Sequence, residues 1–496
     1  MRREFLTLFS LLFIVMGNAQ KDLPQDYLSS QFHKNRREAL RKKMPENSVS
    51  VFFANAIRNR ANDVDYVYHQ DPNFYYLTGY KEPHAVLLIF SEIQTNDQAK
   101  NFNELIYVQE KNALWEMWTG RRLGEEGTKK ELGFEIAFNG KEFKDNGIDF
   151  MAFDHVLFND FKDDYRDSER NDADLASLIE TFKTQIGYYV EEASIDVENS
   201  DQVDQKKEGS VPLERANIDN KSLRSLMGSL REVKMPEEMK LLTKAVRISA
   251  MGQREIMKAM KPGMSETEIQ GIHEYIYKKY GSEYEGYPSI VGAGNNGCVL
   301  HYIENNKMNV KGDLVLMDLG AEYHGYTADV TRTIPANGTF TKEQKAIYDL
   351  VYQAQEAGIA ASVTGNTLNS PDTAARKIIN EGLAQLGIIK SATTKHKYFP
   401  HGTSHHIGLD VHDLSTRGAL KPNMVITVEP GIYIPEGSPC DKKWWGIAVR
   451  IEDDILITDN SPINLSAEAP RRSDKIEALM KEKSALDDFN LPSLDD

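Results

Sequence analysis

The sequence predicts a mixed α/β chain of two domains, an N-terminal α/β half followed by a C-terminal half of the α+β kind. Three observations carry this. Short apolar runs separated by polar connections fill the region from about Tyr27 to Lys221. Long amphipathic helical patterns with recognisable caps begin only at Pro236. The length, 496 residues, exceeds what one core organises when domains average about 150 residues. Hydrophobic residues at 40% and charged residues at 27%, with 33 Gly and 18 Pro, exclude collagen-like, prion-like and wholly disordered classes. The 59 Lys and Arg against 75 Asp and Glu give a formal charge of -16, so nucleic acid is not an expected partner.

The first element is a targeting segment rather than part of the fold. Arg2 and Arg3 precede an apolar run from Phe5 to Met16, and Gly17-Asn18-Ala19 supplies small residues for signal peptidase, so residues 1–19 read as a secretory signal. The run is too short to span a bilayer, which takes about 20 residues, and no later segment serves as an anchor. Export to the periplasm or the extracellular space follows as the expectation. The two cysteines, Cys298 and Cys440, allow one disulfide at most, and both are expected as free, partly buried thiols.

In the first domain, placed at 24–221, the strand-like runs are Val49 to Ala54, Asn73 to Leu77, Ala85 to Phe90 and Glu104 to Gln109. Charged, apolar-poor stretches at Lys162 to Asp174 and Asn199 to Gly209 read as surface loops, the second near the domain boundary. The second domain is placed at 222–483. Leu241, Ala245, Ile248, Gly252, Ile256 and Ala259 share one helical face until Pro262-Gly263 stops it. Ser265 with Glu268, and Thr341 with Gln344, read as capping boxes opening two further helices, the first ending at Gly281 and the second covering Ala346 to Ala361. Strand-like runs follow at Asp313 to Leu319, Met424 to Val428 and Ile447 to Leu456. An acidic tail, 484–496, is expected to be mobile.

The chemistry sits in the second half. Asp318 ends an apolar strand and Asp329 follows after a polar turn at Tyr323-His324-Gly325, a spacing that brings two carboxylates close on a returning strand. Such a pair repels unless a cation lies between; a turn Asp beside a strand-end Asp is the plain alternative. In Ile447 to Asp454, alternation sends Arg450 and Glu452 to one face, which must be paired or metal-bound if buried and is unremarkable if solvated. Glu429 ends another β-branched run. Three of the twelve histidines, His401, His405 and His406, fall within Pro400 to Gly408, with His412 just beyond. Pro400, Gly402 and Gly408 oppose a helix there, and the H-E-x-x-H zinc motif is absent. His301 is a further candidate, with a core or turn role as its alternative.

These residues carry a resemblance. Asn296 to Tyr302, Met317 to Arg332, His401 to Asp413, Thr427 to Tyr433 and Arg450 to Asp454 resemble the motifs of the pita-bread metallopeptidases, in the proline-directed branch of aminopeptidase P and prolidase. Tyr68 to Gly79 and Gly120 to Gly124 resemble that branch's N-terminal domain, so the resemblance covers essentially the whole mature chain. It implies an N-terminal α/β domain followed by a pita-bread catalytic domain. It also implies that Asp318, Asp329, His405, Glu429 and Glu452 hold two divalent ions, Asp329 and Glu452 bridging, Asp318 completing one site and His405 with Glu429 the other. Four carboxylates balance two dications, and oxygen-dominated ligands with one imidazole favour Mn(II).

By the same resemblance, His301 and His412 contact the oxyanion, Glu429 carries a proton to the leaving nitrogen, and His401 and Arg450 line the site. His406 has no inferred role. The implied substrate is a peptide with proline in second position, whose imide-like bond lacks the N–H that strand-gripping proteases use. A homo-oligomer, dimer or tetramer, is implied; Arg121 and Arg122 are candidates for its interface, with a solvated charge pair as the equal alternative. Two rival readings remain: an Xaa-Pro dipeptidase of the prolidase kind, and a non-catalytic peptide-binding module, which the complete ligand set disfavours.

Overall fold

The computed structural model describes residues 24–95, 99–162, 164–167, 171–188 and 215–489. The expected signal at 1–19, the stretch Asn199 to Gly209 and residues 490–496 of the expected tail lie outside the described residues. Two compact units form. One comprises Ser30–Val233 and His412–Ala419; the other comprises the segment up to Ser29, Lys234–Val411 and Leu420 onward.

The first unit is built on a six-stranded mixed sheet. Helix α1 (Ser30–Arg41) precedes β1 (Ser48–Phe53), followed by α2 (Pro72–Thr78), β2 (Val86–Thr95), β3 (Asn101–Val108), the short helix α3 (Ala113–Thr119) and α4 (Gly124–Leu132). Strand β4 (Ala137–Asn139), β5 (His155–Leu157), α5 (Leu175–Gln185), β6 (Ile218–Asp219) and α6 (Ser222–Arg231) complete it. The strand order is β4-β3-β2-β1-β5-β6, antiparallel among β3, β2 and β1 and parallel at both flanks. Val49 and Val51 on β1 and Val86, Leu88 and Phe90 on β2 face one core with Phe150, Phe158 and Phe182. Burying each such side chain contributes about 1.5–3 kcal/mol.

Three expectations for this unit change. Asn73 to Leu77 is helical, not extended: Asp71 accepts hydrogen bonds from the Asn73 and Phe74 amides, Pro72 occupies the first turn, and Gly79 closes the helix at φ 70. Cap, proline and glycine outweigh the β preference of Phe74, Tyr75 and Tyr76. The compact units divide after Val233 rather than at 221/222, because α6 belongs with the first unit: Tyr76 Oη donates to Leu230 O at 3.0 Å and Arg231 donates to Asn73 Oδ1 at 2.7 Å. The chain also returns to this unit at 412–419, where Arg231 pairs with Asp413 and Glu232 Oε2 accepts from the Thr416 amide at 2.8 Å.

The second unit has the predicted helices α7 (Pro236–Ala259) and α8 (Glu266–Lys279), then β7 (Tyr284–Glu285), β8 (Ile290–Ala293), β9 (Leu314–Asp318), β10 (Ala321–Tyr323), β11 (Tyr326–Thr327) and β12 (Thr331–Pro335). Helices α9 (Lys342–Ala361) and α10 (Asn369–Gln385) follow, then β13 (Val425–Val428), β14 (Gly431–Ile434), β15 (Ile447–Arg450), β16 (Asp453–Leu456), β17 (Ile463–Asn464) and α11 (Ser473–Leu479). The strands form small antiparallel sheets, β8-β9-β12, β11-β10-β7, β13-β16-β17 and β14-β15. Their apolar face packs with the helices: Val315, Met317, Ile334, Val449 and Ile451 share a core with Ile347, Val351, Ala375 and Ile379.

The run Ile447 to Leu456 is not one strand but two, broken at Ile451 and Glu452. Thr341 and Gln344 make a full capping box, whereas at α8 only Ser265 accepts, from the Glu268 amide. The described start of the tail is docked, not loose. Ser484 Oγ and the Ala485 amide both donate to Glu255 Oε1 at 2.6 Å, and Lys261 pairs with Asp487 at 2.8 Å. No helix among the described residues is long and apolar enough to cross a membrane. Both cysteines are free and partly buried.

Candidate active site

Four strand ends and one irregular segment place the carboxylates. Asp318 is the last residue of β9 and is paired with Thr331 on β12. Asp329 lies on the returning chain just before β12. The two approach because residue 320 is glycine: a Cβ there would stand 2.0 Å from the Ala328 carbonyl oxygen and 2.6 Å from the Tyr287 ring. Any side chain would force the two segments apart. Glu429 follows β13. Residues Thr403 to Ile407 run beside that strand without being regular sheet themselves: the Glu429 amide donates to Thr403 O at 2.9 Å, and the Thr427 amide to His405 O at 2.9 Å. This pairing puts His405 beside Glu429. Glu452 sits in the break between β15 and β16, with its amide donating to Thr331 O at 3.1 Å.

All five predicted ligands therefore converge within one unit. His405 Nε2 lies 3.5 Å from Asp329 Oδ2 and 3.4 Å from Glu429 Oε1. Ligand atoms of Asp329, His405 and Glu452 lie within 4.8 Å of one another. With ligand bonds near ~2.1 Å, neighbouring ligand atoms on one ion stand roughly 3 to 3.5 Å apart, so these separations suit a shared cation better than direct hydrogen bonds.

The electrostatics demand such a cation. Asp318, Asp329 and Glu452 are 8%, 5% and 1% exposed. The one guanidinium among them is Arg450, itself buried, with Nη2 2.5 Å from Asp318 Oδ2 and Nε 3.8 Å from Glu452 Oε2. Burial would raise the Asp318 pKa, but Arg450 and a hydrogen bond from Tyr287 hold it below the ordinary value. For the others such relief is outweighed. Burial and then the Asp318 charge raise Asp329. Burial, Asp329 and Glu429 raise Glu452 well above the carboxylate range. Burial, followed by Asp329 among the raising charges, lifts Glu429 to about 7. Burial opposes charge on His405, yet Asp329 and Glu429 raise it to about 9. Asp454, fully buried behind them, accepts from the Asp329 amide at 3.1 Å while its Oδ1 has no hydrogen-bond partner. A protein that gathers this many acids around one arginine is built for added positive charge. The oxygen-rich donor set fits divalent ions.

His401 and Arg450 do line this cluster. His401 Nδ1 lies 2.7 Å from Gly402 O, which only accepts, so Nδ1 carries the proton. Burial and Arg450 lower its pKa to about 4, and in the neutral ring Nε2 accepts from Tyr433 Oη at 2.8 Å. Tyr433 Oη in turn accepts from Arg450 Nη1 at 3.0 Å.

The other histidines differ in exposure. His301 is exposed on the turn after the 3₁₀ segment Gly294–Cys298, with no hydrogen bond to the cluster. His412 is exposed and falls in the segment grouped with the first unit. His406 is buried and bridges to Ile426 on β13, a structural position.

Two site residues escaped the sequence reading. Tyr287 Oη stands 2.6 Å from Oδ1 of both Asp318 and Asp329, and nothing around Gly286-Tyr287-Pro288 signals it. Thr331 Oγ1 donates to Glu452 Oε2 at 2.6 Å and accepts from Arg450 Nε at 3.1 Å. Its alternation with Asp329 was available as a signal.

Comparison with known proteins agrees with the geometry. The family model described as metallopeptidase family M24 matches residues 240–459, and that described as the aminopeptidase P N-terminal domain matches residues 33–155. The chain is 34% identical over 465 residues to an Xaa-Pro aminopeptidase of Escherichia coli, covering 91% of this chain and 98% of that protein. It superposes on a solved E. coli aminopeptidase P with the inhibitor Pro-Leu at a TM-score of 0.78, with 32% identity, 92% of this chain and 98% of that one covered. It superposes on a proline aminopeptidase P II from Yersinia pestis at 0.77, with 32% identity and 91% and 99% covered. A pita-bread metallopeptidase domain thus follows an aminopeptidase P N-terminal domain, and the chain belongs to the aminopeptidase P family of metalloaminopeptidases.

Proposed function

We propose that this protein is an exported, dinuclear metal-dependent Xaa-Pro aminopeptidase, releasing the first residue from peptides whose second residue is proline. The observation that carries the reading is the convergence of Asp318, Asp329, Glu429 and Glu452 around a single guanidinium, a negative surplus that divalent ions would offset. Asp329 and Glu452 would bridge, Asp318 would complete one position, and His405 and Glu429 the other, with Mn(II) as the native choice. When bound, the ions supply Lewis acidity, acidifying water and polarising the scissile carbonyl.

The chain's own residues do the rest. Glu429, less enclosed than Glu452, with its side chain 17% exposed against 2%, holds a proton and delivers it to the prolyl nitrogen as the bond breaks. Arg450 orders Tyr433, and Tyr433 fixes the His401 ring, so the wall facing the substrate is rigid before it arrives. His301 and His412 are assigned to the substrate oxygen by resemblance alone. A homo-oligomer is supported by α3, whose Leu114, Trp115, Met117 and Trp118 are exposed and which buries no side chain of its own. A seven-residue helix in that state is expected to be covered by a second copy.

The test compares hydrolysis of Gly-Pro-Leu with that of Gly-Pro by the purified mature chain, with bound metal measured before and after chelation. The tripeptide should be preferred, chelation should stop turnover, and Mn(II) should restore it. Preference for the dipeptide would make the protein a prolidase.

A further inference from the structure

The His401 segment, Phe399 to Ser404, contains Pro400 and Gly402 and belongs to no helix or strand. Its backbone carbonyls therefore need partners from elsewhere, and without them the segment would wander. One side chain supplies two. Arg376, on α10, donates from Nη1 to Phe399 O at 3.0 Å and from Nη2 to His401 O. Its guanidinium carbon lies 4.3 Å from the centre of the Phe399 ring. Its third direction is fixed from its own helix: Nε donates to Asp372 Oδ2 at 2.7 Å, one turn back. The other oxygen of Asp372 accepts from Thr403 Oγ1 at 2.9 Å.

Residues 399, 401 and 403 are thus tied to one helical turn on both sides of His401. The helix is a firm platform, with Ala375 and Ile379 fully buried in the core. Neither Arg376 nor Asp372 is required by that core, since their side chains are 38% and 25% exposed. What they hold is the backbone of a histidine whose ring reaches Tyr433 and, through it, Arg450.

We propose that Arg376, oriented by Asp372, is a positioning residue for the reaction: it clamps the carbonyls of Phe399 and of His401 itself and thereby sets the imidazole against the substrate. It touches neither substrate nor metal ligand. The planar fork is essential, because lysine offers the charge without two parallel donors in fixed geometry. The inference rests on the aminopeptidase reading above and adds a residue to it.

The experiment is a double-mutant cycle in the metal-loaded full-length mature protein, with Gly-Pro-Leu as substrate. Arg376→Ala should lower kcat/KM by on the order of tenfold to a hundredfold, with bound metal per chain and Tm close to wild type. Arg376→Lys should not rescue. Added to His401→Ala, Arg376→Ala should cost no more than about twofold further, since the clamp acts only through that ring. Wild-type-like activity of Arg376→Ala, multiplication of the two single effects, or loss of bound metal would each overturn the proposal. If Arg376→Ala fails to fold, the same cycle is run with Arg376→Lys. A wild-type protein inactive on Gly-Pro-Leu would instead overturn the aminopeptidase reading.

Discussion

Each of the two units buries charge, and they do so in opposite ways. In the first unit Glu104, on β3, receives both Nε and Nη2 of Arg37 at 2.9 Å and Nη2 of Arg41 at 3.0 Å. Arg37 is wholly buried and uses its remaining fork on Leu77 O at 2.8 Å. Burial would raise Glu104, but the two guanidinium groups hold it below its ordinary pKa. Arg41 also pairs with Glu38 at 2.7 Å, so two carboxylates face two cations and nothing is left over. In the second unit Asp318, Asp329, Glu429, Glu452 and Asp454 face Arg450 and the His405 ring, five acids against two bases. A balanced cluster is architecture, complete in itself; an unbalanced one requires a further positive charge, and that surplus marks the functional site. Asp453 shows that the same unit can close a charge when it needs only structure, since Arg332, Ser466 and Gln355 all donate to its carboxylate.

The comparison breaks most sharply under one substitution made in both places. Glu452→Gln should lower turnover by more than about 10³-fold, as removal of a bridging ligand from a two-metal site does. It should also raise the Tm of the chelated protein, because folding no longer has to protonate a buried acid whose pKa is raised. Glu104→Gln should do the reverse, destabilising the first unit by about 3 kcal/mol, since the wholly buried Arg37 loses its charged partner and Arg41 keeps only Glu38, while per-molecule turnover of the folded fraction persists. Calorimetry of both chelated variants checks this. If both substitutions destabilise the chelated protein, the inferred surplus does not exist.

The pH dependence of the chelated protein should also split by unit. Buried His33, on α1, has its pKa lowered to about 4 by burial, below the value near 6.5 of an unfolded chain. Its contribution is fully present above pH 6.5 and is lost as pH falls toward 4, when the unfolded state takes up the proton first; the span is worth about 3 kcal/mol. Glu429 has the opposite sign. Its pKa is raised from 4.5 to about 7, so its contribution is present below pH 4.5 and is lost as pH rises through 7. In the second unit the raised Glu429, Glu452 and His405 outweigh the lowered His273 and His401, so hydrogen exchange read separately on the two units should show opposite slopes between pH 5 and 7, and parallel slopes would remove the distinction. Metal loading should flatten the slope of the second unit only.

Much of this contrast was legible in the chain, for a physical reason. The ligands sit at strand ends and beside glycines, so Asp318, Glu429 and the pair Arg450 and Glu452 announce themselves as charges interrupting β-branched runs. Helices α7, α8 and α9 were legible because caps and 3.6-residue periodicity are local. What stayed hidden depends on distant pairing. The aromatic run at Phe74 to Tyr76 reads as strand until Asp71, Pro72 and Gly79 are weighed together as caps. The break at Ile451 and Glu452 is invisible because alternation continues across it. Tyr287 reaches two aspartates 31 and 42 residues away, and its own neighbourhood carries no trace of them. The segment 412–419 looks continuous with the histidine cluster, yet Arg231 and Glu232 draw it into the first unit.

Tyr287 supplies the finest test of the surplus, and the smallest effect. Its hydroxyl lies 2.6 Å from one oxygen of Asp318 and one of Asp329, but a phenol has a single proton to donate. One of the two contacts is therefore oxygen against oxygen with no hydrogen from tyrosine. It is tolerable only if that aspartate carries a proton itself or if a cation draws the oxygens together. The Asp329 pKa is raised while that of Asp318 is lowered, so of the two Asp329 is the readier to hold a proton and Asp318 the better acceptor for the phenol. With the site loaded, Asp329 would be held as an ionised ligand and the phenol would remain an orienting donor to Asp318. Tyr287→Phe removes that donor and leaves the ring packed against Gly320. A hydrogen bond to a charged group is worth about 1.5–3 kcal/mol, of which relaxation of the site recovers part, so Mn(II) affinity should fall on the order of tenfold. Protons released per ion bound should stay unchanged, because the acid that loses its proton is Asp329 rather than the phenol. Titration calorimetry in buffers of different ionisation enthalpy measures both quantities. A fall in proton release with affinity intact would place the titrating proton on Tyr287 and reverse the assignment.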